Sequence, residues 1–281
     1  MRLIEREGGE VTKLRLVKLS FLLAQTAKNA PAAARYEFLP YQFGPYSFTL
    51  GHELRALERD GWLKVHEKDV VIARSLGAES ARLDRRFGAE IDDLATSLQA
   101  VSTDAIIDRV YRDYPWYTAN AKDKRKRRMS LPIAEPAVYS VGYEGLMLDG
   151  LLDLLLRSGI RRLIDVRRNP VARRFGFHRS TLERHCNDVG IEYCHIPELG
   201  IPSSLRADLN CLADYERLFE TYENSILPSN AASVAVVARM IGEKPSAVMC
   251  MEQDARFCHR TRLARALAKS TGLPHRELRE A

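Results

Sequence analysis

The chain has 281 residues, with 43 lysines and arginines against 37 aspartates and glutamates, for a formal charge of +6 at pH 7. That length suits two domains better than one core, and 46% hydrophobic residues is the composition of a globular protein rather than a fibrous or low-complexity one. No apolar run approaches the roughly 18 residues of a membrane span, and the opening MRLIEREGGE has no apolar stretch after its charges, so we expect a soluble, cytoplasmic protein with no membrane partner. The five cysteines, Cys186, Cys194, Cys211, Cys250 and Cys258, include no CxxC pair and read as reduced thiols.

From the amino end, TKLRLVKLSFLLAQTAK places leucines, Val17 and Phe21 broadly at helical spacing and predicts an amphipathic helix with Thr12 as its N-cap. YEFLPYQFGPYS predicts an extended segment with a turn. FTLGHELRALERDG predicts a second helix ending at Gly61, and WLKVHEKDVVIAR a two-stranded wing. Helices followed by such a wing form a winged-helix pattern, and residues 80–120 add helical segments with exposed aromatics in YRDYPWYTAN. Through Phe38 to Ser47, an F-x-P-Y-x-F-G-P-Y-S element followed by a leucine-rich helix, residues 10–75 resemble the Panacea-type antitoxin domain. We therefore expect a winged-helix-like α+β domain over 1–120.

Residues 121–136 read as a basic flexible linker. Its run AKDKRKRRMS holds Lys124, Arg125, Lys126, Arg127 and Arg128, which could hold nucleic-acid phosphates without fixed structure, although such runs are usually plain solvated connectors.

From residue 137 to 281 strands and helices alternate. AVYSVGY, RRLIDVR, IEYCHIP and SAVMCME are short apolar runs separated by helical patterns at 146–157, 179–189, 212–226, 230–241 and 259–269. This predicts an α/β domain with a mostly parallel sheet flanked by helices, and ligands bind such sheets at the carboxyl ends of the strands. Those ends carry Tyr143, Asp165 with Arg167 and Arg168, His195 with Glu198, and Cys250 with Glu252. The residues YSVGYEG, the run from LIDVRR to IPELG, and VMCMEQDARFCHR together resemble the family of domain of unknown function 488 over nearly all of 137–270. Its hallmark positions fall here on Gly142, Tyr143, Gly145, Asp165, Arg167, Leu199, Gly200, Cys250, Glu252, Cys258, His259 and Arg260. The resemblance implies the fold and no settled reaction. No final strand is predicted after AKSTGLPHRELREA.

Glu252 and Asp165, just beyond buried strands, are the candidate acid–base carboxylates; the plainer alternative is that each pairs with an arginine to tie a loop to the sheet. His259 and Arg260 open a helix, where an anion such as phosphate is favoured. The loop DVRRNPVARRFGFHRS interleaves Arg167, Arg168, Arg173 and Arg174 with Phe175, Phe177 and His178, a mixture that can hold phosphates and stack bases, with Gly176 marking a turn or a close approach. The phenylalanines could equally be core anchors. Cys250 and Cys258 could bind zinc with His259 or Cys194, but Cys258 and His259 are adjacent, an awkward pair of ligands, and no metal or other cofactor is predicted.

The expected activity is that of a hydrolase on DNA, an N-glycosidase excising a modified base from a nucleotide turned out of double-stranded DNA, or from single-stranded DNA, in defence against phage, with Glu252 or Asp165 catalytic and Tyr143, Phe175 or Phe177 against the base. A metal-dependent nuclease and a nucleotide- or redox-sensing DNA-binding regulator are the rival readings. The sequence sets no oligomeric state.

Overall fold

The computed structural model describes residues 1–31, 36–74, 85–206 and 209–279. The chain divides into two compact units, Met1–Ser130 and Leu131–Ala281.

The first unit begins with α1 (Arg2–Arg6), β1 (Glu10–Thr12) and α2 (Lys13–Thr26). The Thr12 hydroxyl accepts from the Arg15 N–H at 3.2 Å, the predicted N-cap. The amphipathic expectation for α2 fails, because every residue from Arg15 to Leu23 is buried. The helix is enclosed by α1, by α4 (Arg85–Leu98), by α5 (Thr103–Asp113) and by a hairpin of β2 (Leu39–Tyr41) and β3 (Gly44–Tyr46). Its buried charges are therefore held internally. Arg15 pairs with Glu7 and donates to the carbonyls of Leu98 and Val101, and Lys18 Nζ donates to the Pro45 carbonyl at 3.0 Å.

Helix α3 (Phe48–Arg59) is capped by Ser47 and stops before Gly61, whose φ of 77° suits the turn. Strands β4 (Leu63–Val65) and β5 (Asp69–Ile72) form the expected hairpin, and β1 joins it in an antiparallel sheet of order β1-β5-β4. The aromatics of YRDYPWYTAN are not exposed as predicted. Tyr111 and Trp116 are buried, and Tyr114 and Tyr117 pack edge-on against Phe21 at 5.0 and 4.6 Å. Of the predicted linker, residues up to Ser130 belong to this unit. Lys124–Lys126 form a 3-10 turn, Arg128 N–H donates to Thr118 Oγ1, Arg127 Nε donates to the Ala121 carbonyl, and the side chains of Lys124 through Arg128 are exposed.

The second unit alternates as predicted: β6 (Val138–Gly142), α6 (Leu148–Arg157), β7 (Arg162–Asp165), α7 (Arg179–Asp188), β8 (Glu192–His195), α8 (Leu212–Thr221), α9 (Leu227–Ser229), α10 (Ala231–Glu243), β9 (Ser246–Cys250), α11 (Arg260–Thr271) and β10 (His275–Leu278). The described strands form one parallel sheet of order β10-β6-β9-β7-β8. Strand β10 overturns the expectation that no final strand follows α11. Its sequence HREL is too polar to read as a strand, yet it sits at the sheet edge, where only half of each residue needs cover. Strands β7 and β9 are buried at every position, and β6 at all but Gly142, as their apolar runs require. Val138, Ile164 and Val248 pack against Phe219, Val237 and Leu263 of the surrounding helices. Between α8 and α9 the helical path widens into a π-turn, Tyr222–Ile226, and the buried Tyr222 hydroxyl donates to the Leu199 carbonyl at 2.7 Å. Among the described residues no single helix is long and apolar enough to cross a membrane.

Candidate functional site

The carboxyl ends of β6, β9 and β7 lie side by side, so Gly142 stands opposite Cys250, and Met249 opposite Asp165. The loops that leave these strands divide the edge into a sealed half and an open half.

On the β7 side the side chains lock one another. Asp165 is fully buried and accepts from the Arg167 N–H at 3.0 Å, from Arg167 Nε on both oxygens at 2.9 and 3.0 Å, from Arg167 Nη2 at 2.6 Å and from the Tyr193 hydroxyl at 2.7 Å. Arg167, also buried, sends Nη1 to the Tyr143 hydroxyl and the Phe177 carbonyl. The Asp165 bonds hold the Arg167 guanidinium above its ordinary pKa although burial acts against it, and burial with the Asp165 charge pushes the Tyr193 phenol up. The rings of Tyr143 and Phe177 stack at 4.2 Å and 13°, and both are buried. Asp165, Arg167, Tyr143 and Phe177 thus brace the sheet edge and bury the carboxylate predicted as catalytic together with two of the three rings predicted to meet a base, Tyr143 and Phe177. The lock depends on Gly176, whose φ is 91° and whose added Cβ would stand 2.6 Å from Leu148 Cβ.

Beyond this lock the loop carries exposed charge. Arg168, Arg173, Arg174 and His178 are exposed, and Phe175 is half-buried near His185. Arg168 reaches the Pro197 carbonyl at 3.3 Å, and Arg174 lies over Phe177 at 5.9 Å.

On the β9 side the chain leaves Cys250 and returns at Cys258 through a short loop. Glu252 is half-buried and lines a cleft of about 410 Å³ with Arg206, Tyr215, Phe219, Phe257 and His259. Arg206 Nη1 stands 3.9 Å from Glu252 Oε1. Tyr215 and Phe257 meet edge-on at 5.0 Å. Burial, and after it the neighbouring Cys258, raise the Glu252 carboxyl above its ordinary range.

Behind Glu252 lie Cys250, Cys258 and His259, all buried. Cys250 Sγ is 3.2 Å from Glu252 Oε2 and 3.8 Å from His259 Nδ1, and one donor atom from each of the three residues lies within 4.8 Å of the others. The two thiols differ. Hydrogen bonding to Cys258, together with burial, raises Cys250; Cys258 is lowered against the opposing effect of burial by hydrogen bonds with Cys250 and His259 and by the charges of His259 and Arg260. Cys194 lies apart, with Sγ at 3.5 Å from Glu192 Oε1.

Arg260 is not available to a phosphate as predicted. Its guanidinium is wholly buried and donates to the carbonyls of Glu252 and Gln253 and to Glu277 Oε1 on β10. His259 is likewise 2% exposed, although it lines the floor of the cleft. The Glu252 carbonyl held by Arg260 lies 2.0 Å from where a Cβ on Gly142 would stand, so Gly142 is glycine because the acidic loop passes directly over it.

The fold therefore gathers Glu252, Cys250, Cys258 and His259, keeps Arg168, Arg173, Arg174 and His178 on the exposed loop, and places Lys124 to Arg128 in the first unit. Arg206, Tyr215 and Phe219 were missed. They come from a stretch between β8 and α9 without any motif, and only the apolar face of α8 hints that its aromatics turn inward. No curated protein and no solved structure matches the chain. Residues 147–267, which run from the start of α6 into α11 and include the whole Cys250–His259 junction, match the family model described as Domain of unknown function DUF488 and constitute such a domain.

Proposed function

We propose that the second unit is a hydrolase acting on nucleic acid and that its reaction is cleavage of the N-glycosidic bond of a nucleotide turned out of DNA. The observation that carries this reading is the position of Glu252: a half-buried carboxylate at the wall of a cleft that also offers Tyr215, Phe257 and the guanidinium of Arg206. Aromatic walls suit a base, Arg206 suits a phosphate or a polar base edge, and the carboxylate suits acid–base work between them. In the step envisaged, water attacks C1′ while Glu252 takes its proton. The C1′–N bond breaks with its electron pair leaving on the base, which is then protonated, and an abasic sugar and a free base remain.

Exposed Arg168, Arg173 and Arg174 supply phosphate contacts on the same unit, and Lys124 to Arg128 a second basic run on the other. Asp165 drops out of the catalytic assignment because its oxygens are taken by Arg167 and Tyr193. The winged-helix, Panacea-like reading of residues 10–75 favours a role in phage conflict, with modified phage DNA as the substrate.

The test is incubation of the full chain with unmodified and with glucosylated-hydroxymethylcytosine DNA, without added divalent ion and with Mg²⁺, followed by detection of abasic sites with an aldehyde-reactive tag. Abasic sites that form without Mg²⁺ and vanish in Glu252→Gln are expected. Strand breaks confined to the Mg²⁺ samples would replace this reading by a nuclease, and no lesion in either would move the weight to a regulator.

A further inference from the structure

The three buried donors behind Glu252 do more than pack. Each is a metal-ligating type, each is at most 2% exposed, and they converge from two elements: Cys250 from the end of β9, Cys258 and His259 from the start of α11. Adjacent residues in one continuous strand would point to opposite faces, which makes the pair awkward when read from sequence. The backbone removes that objection. Cys258 is extended, with φ −127° and ψ 128°, whereas His259 is already helical, with φ −64° and ψ −20°, and the switch between them turns both side chains toward Cys250.

The spacing also fits a cation. Around zinc, bonds of about 2.3 Å to sulfur and about 2.0 Å to nitrogen set tetrahedral sulfur–nitrogen edges of roughly 3.6 Å. The Cys250 Sγ to His259 Nδ1 distance is 3.8 Å, and the whole donor set lies within 4.8 Å. The ring nitrogen that faces Cys250 is His259 Nδ1, and it is the imidazole donor that the geometry supplies.

We propose that Cys250, Cys258 and His259 bind a thiophilic divalent cation, zinc being the natural occupant, with the fourth coordination position facing the cleft beside Glu252. Two sulfurs and one nitrogen select zinc over magnesium or calcium, which take oxygen ligands. Three protein ligands with an open position is the arrangement of a zinc site that binds water. Glu252 Oε2, 3.2 Å from Cys250 Sγ, is the group nearest to hand for a proton from such a water. The assignment does not depend on the substrate proposed above.

The experiment measures metal in the full-length protein purified under reducing conditions without chelator, by inductively coupled plasma mass spectrometry, and then cobalt uptake after the metal is stripped. We expect about one zinc per chain, and a thiolate-to-cobalt charge-transfer band on reconstitution. Cys258→Ser and His259→Ala should lose both signals, with circular dichroism checking that each still folds, while Cys211→Ser, at an exposed thiol, should keep both. Glu252→Gln should also keep the metal, and its loss there would overturn the open fourth position. A wild-type chain that carries no metal and takes up neither zinc nor cobalt overturns the site outright. Metal content and base excision are separate readouts: a metal-bound chain without glycosidase activity retires the function and leaves the site, and an active metal-free chain does the reverse.

Discussion

Burial of Lys18 makes the stability of the first unit depend on pH. The Lys18 ammonium lies inside α2, 1% exposed, with the Pro45 carbonyl at 3.0 Å, and burial pulls its pKa from 10.5 down to about 7. Between those values the unfolded chain binds a proton that the folded chain does not, so stability must rise with pH across the window. Below pH 7 both states are protonated and the folded state carries the full penalty. The slope rises to about 1.4 kcal/mol per pH unit above pH 7 and, with the folded-state amine half protonated at pH 7, amounts to roughly 2 kcal/mol between pH 7 and 9. Measurements should stop near pH 9, because half-buried Tyr36 and buried Tyr111, both with raised pKa, make stability fall again at higher pH as the unfolded phenols ionise first. Both tryptophans, Trp62 and Trp116, belong to the first unit, so urea unfolding followed by tryptophan fluorescence reports on that unit. Lys18→Met removes the titrating group and leaves the others, and its advantage over wild type should shrink by roughly 2 kcal/mol from pH 7 to 9. Parallel pH profiles for the two proteins would refute the reasoning and mean that Lys18 stays charged when buried.

Asp165→Asn should destabilise the second unit by about 3–5 kcal/mol, read by urea unfolding with circular dichroism, because it strands the buried Arg167 charge. Glu252→Gln should change stability by less than about 1 kcal/mol while abolishing base excision. Gly142→Ala should lower excision at least tenfold, because its Cβ would meet the Glu252 carbonyl and shift the loop that aims the carboxylate. Arg206→Ala should weaken substrate binding with little effect on folding, since its side chain is 38% exposed and sits at the cleft rim; equal binding by the variant would remove Arg206 from the site.

The parallel sheet was readable because each central strand is an apolar run closed by polar residues, and the same pattern pointed to the strand ends as the place of chemistry. Glu252 could be found that way, since its position beyond β9 follows from local sequence. Asp165 occupies the equivalent position beyond β7, yet it is sealed, because Tyr193 arrives from β8 and Arg167 folds back on it. No local rule separates these two carboxylates. Arg260 misled for a similar reason: its place at a helix start promised an anion, but the guanidinium turns inward to Glu277, whose strand was itself too polar to recognise. The cleft walls were hidden because Arg206 ends a short 3-10 turn, Ser203–Arg206, that carries no motif, and Tyr215 lies in α8, whose apolar face says only that its aromatics turn inward. Strand β10 escaped for want of alternation, since an edge strand can be specified by its neighbour's backbone alone.

The bond between Arg260 and Glu277 also bears on how the chain is born. Arg260 holds the Glu252 and Gln253 carbonyls over Gly142, and its carboxylate partner lies seventeen positions downstream on a strand that pairs with β6, the first of the sheet. During translation the acidic loop and its arginine therefore emerge before the group that fixes them. The nascent domain can collapse around β6, β7, β8 and β9 while the cleft stays unset, and the loop that carries Glu252 is fixed only once β10 has docked and Glu277 meets Arg260.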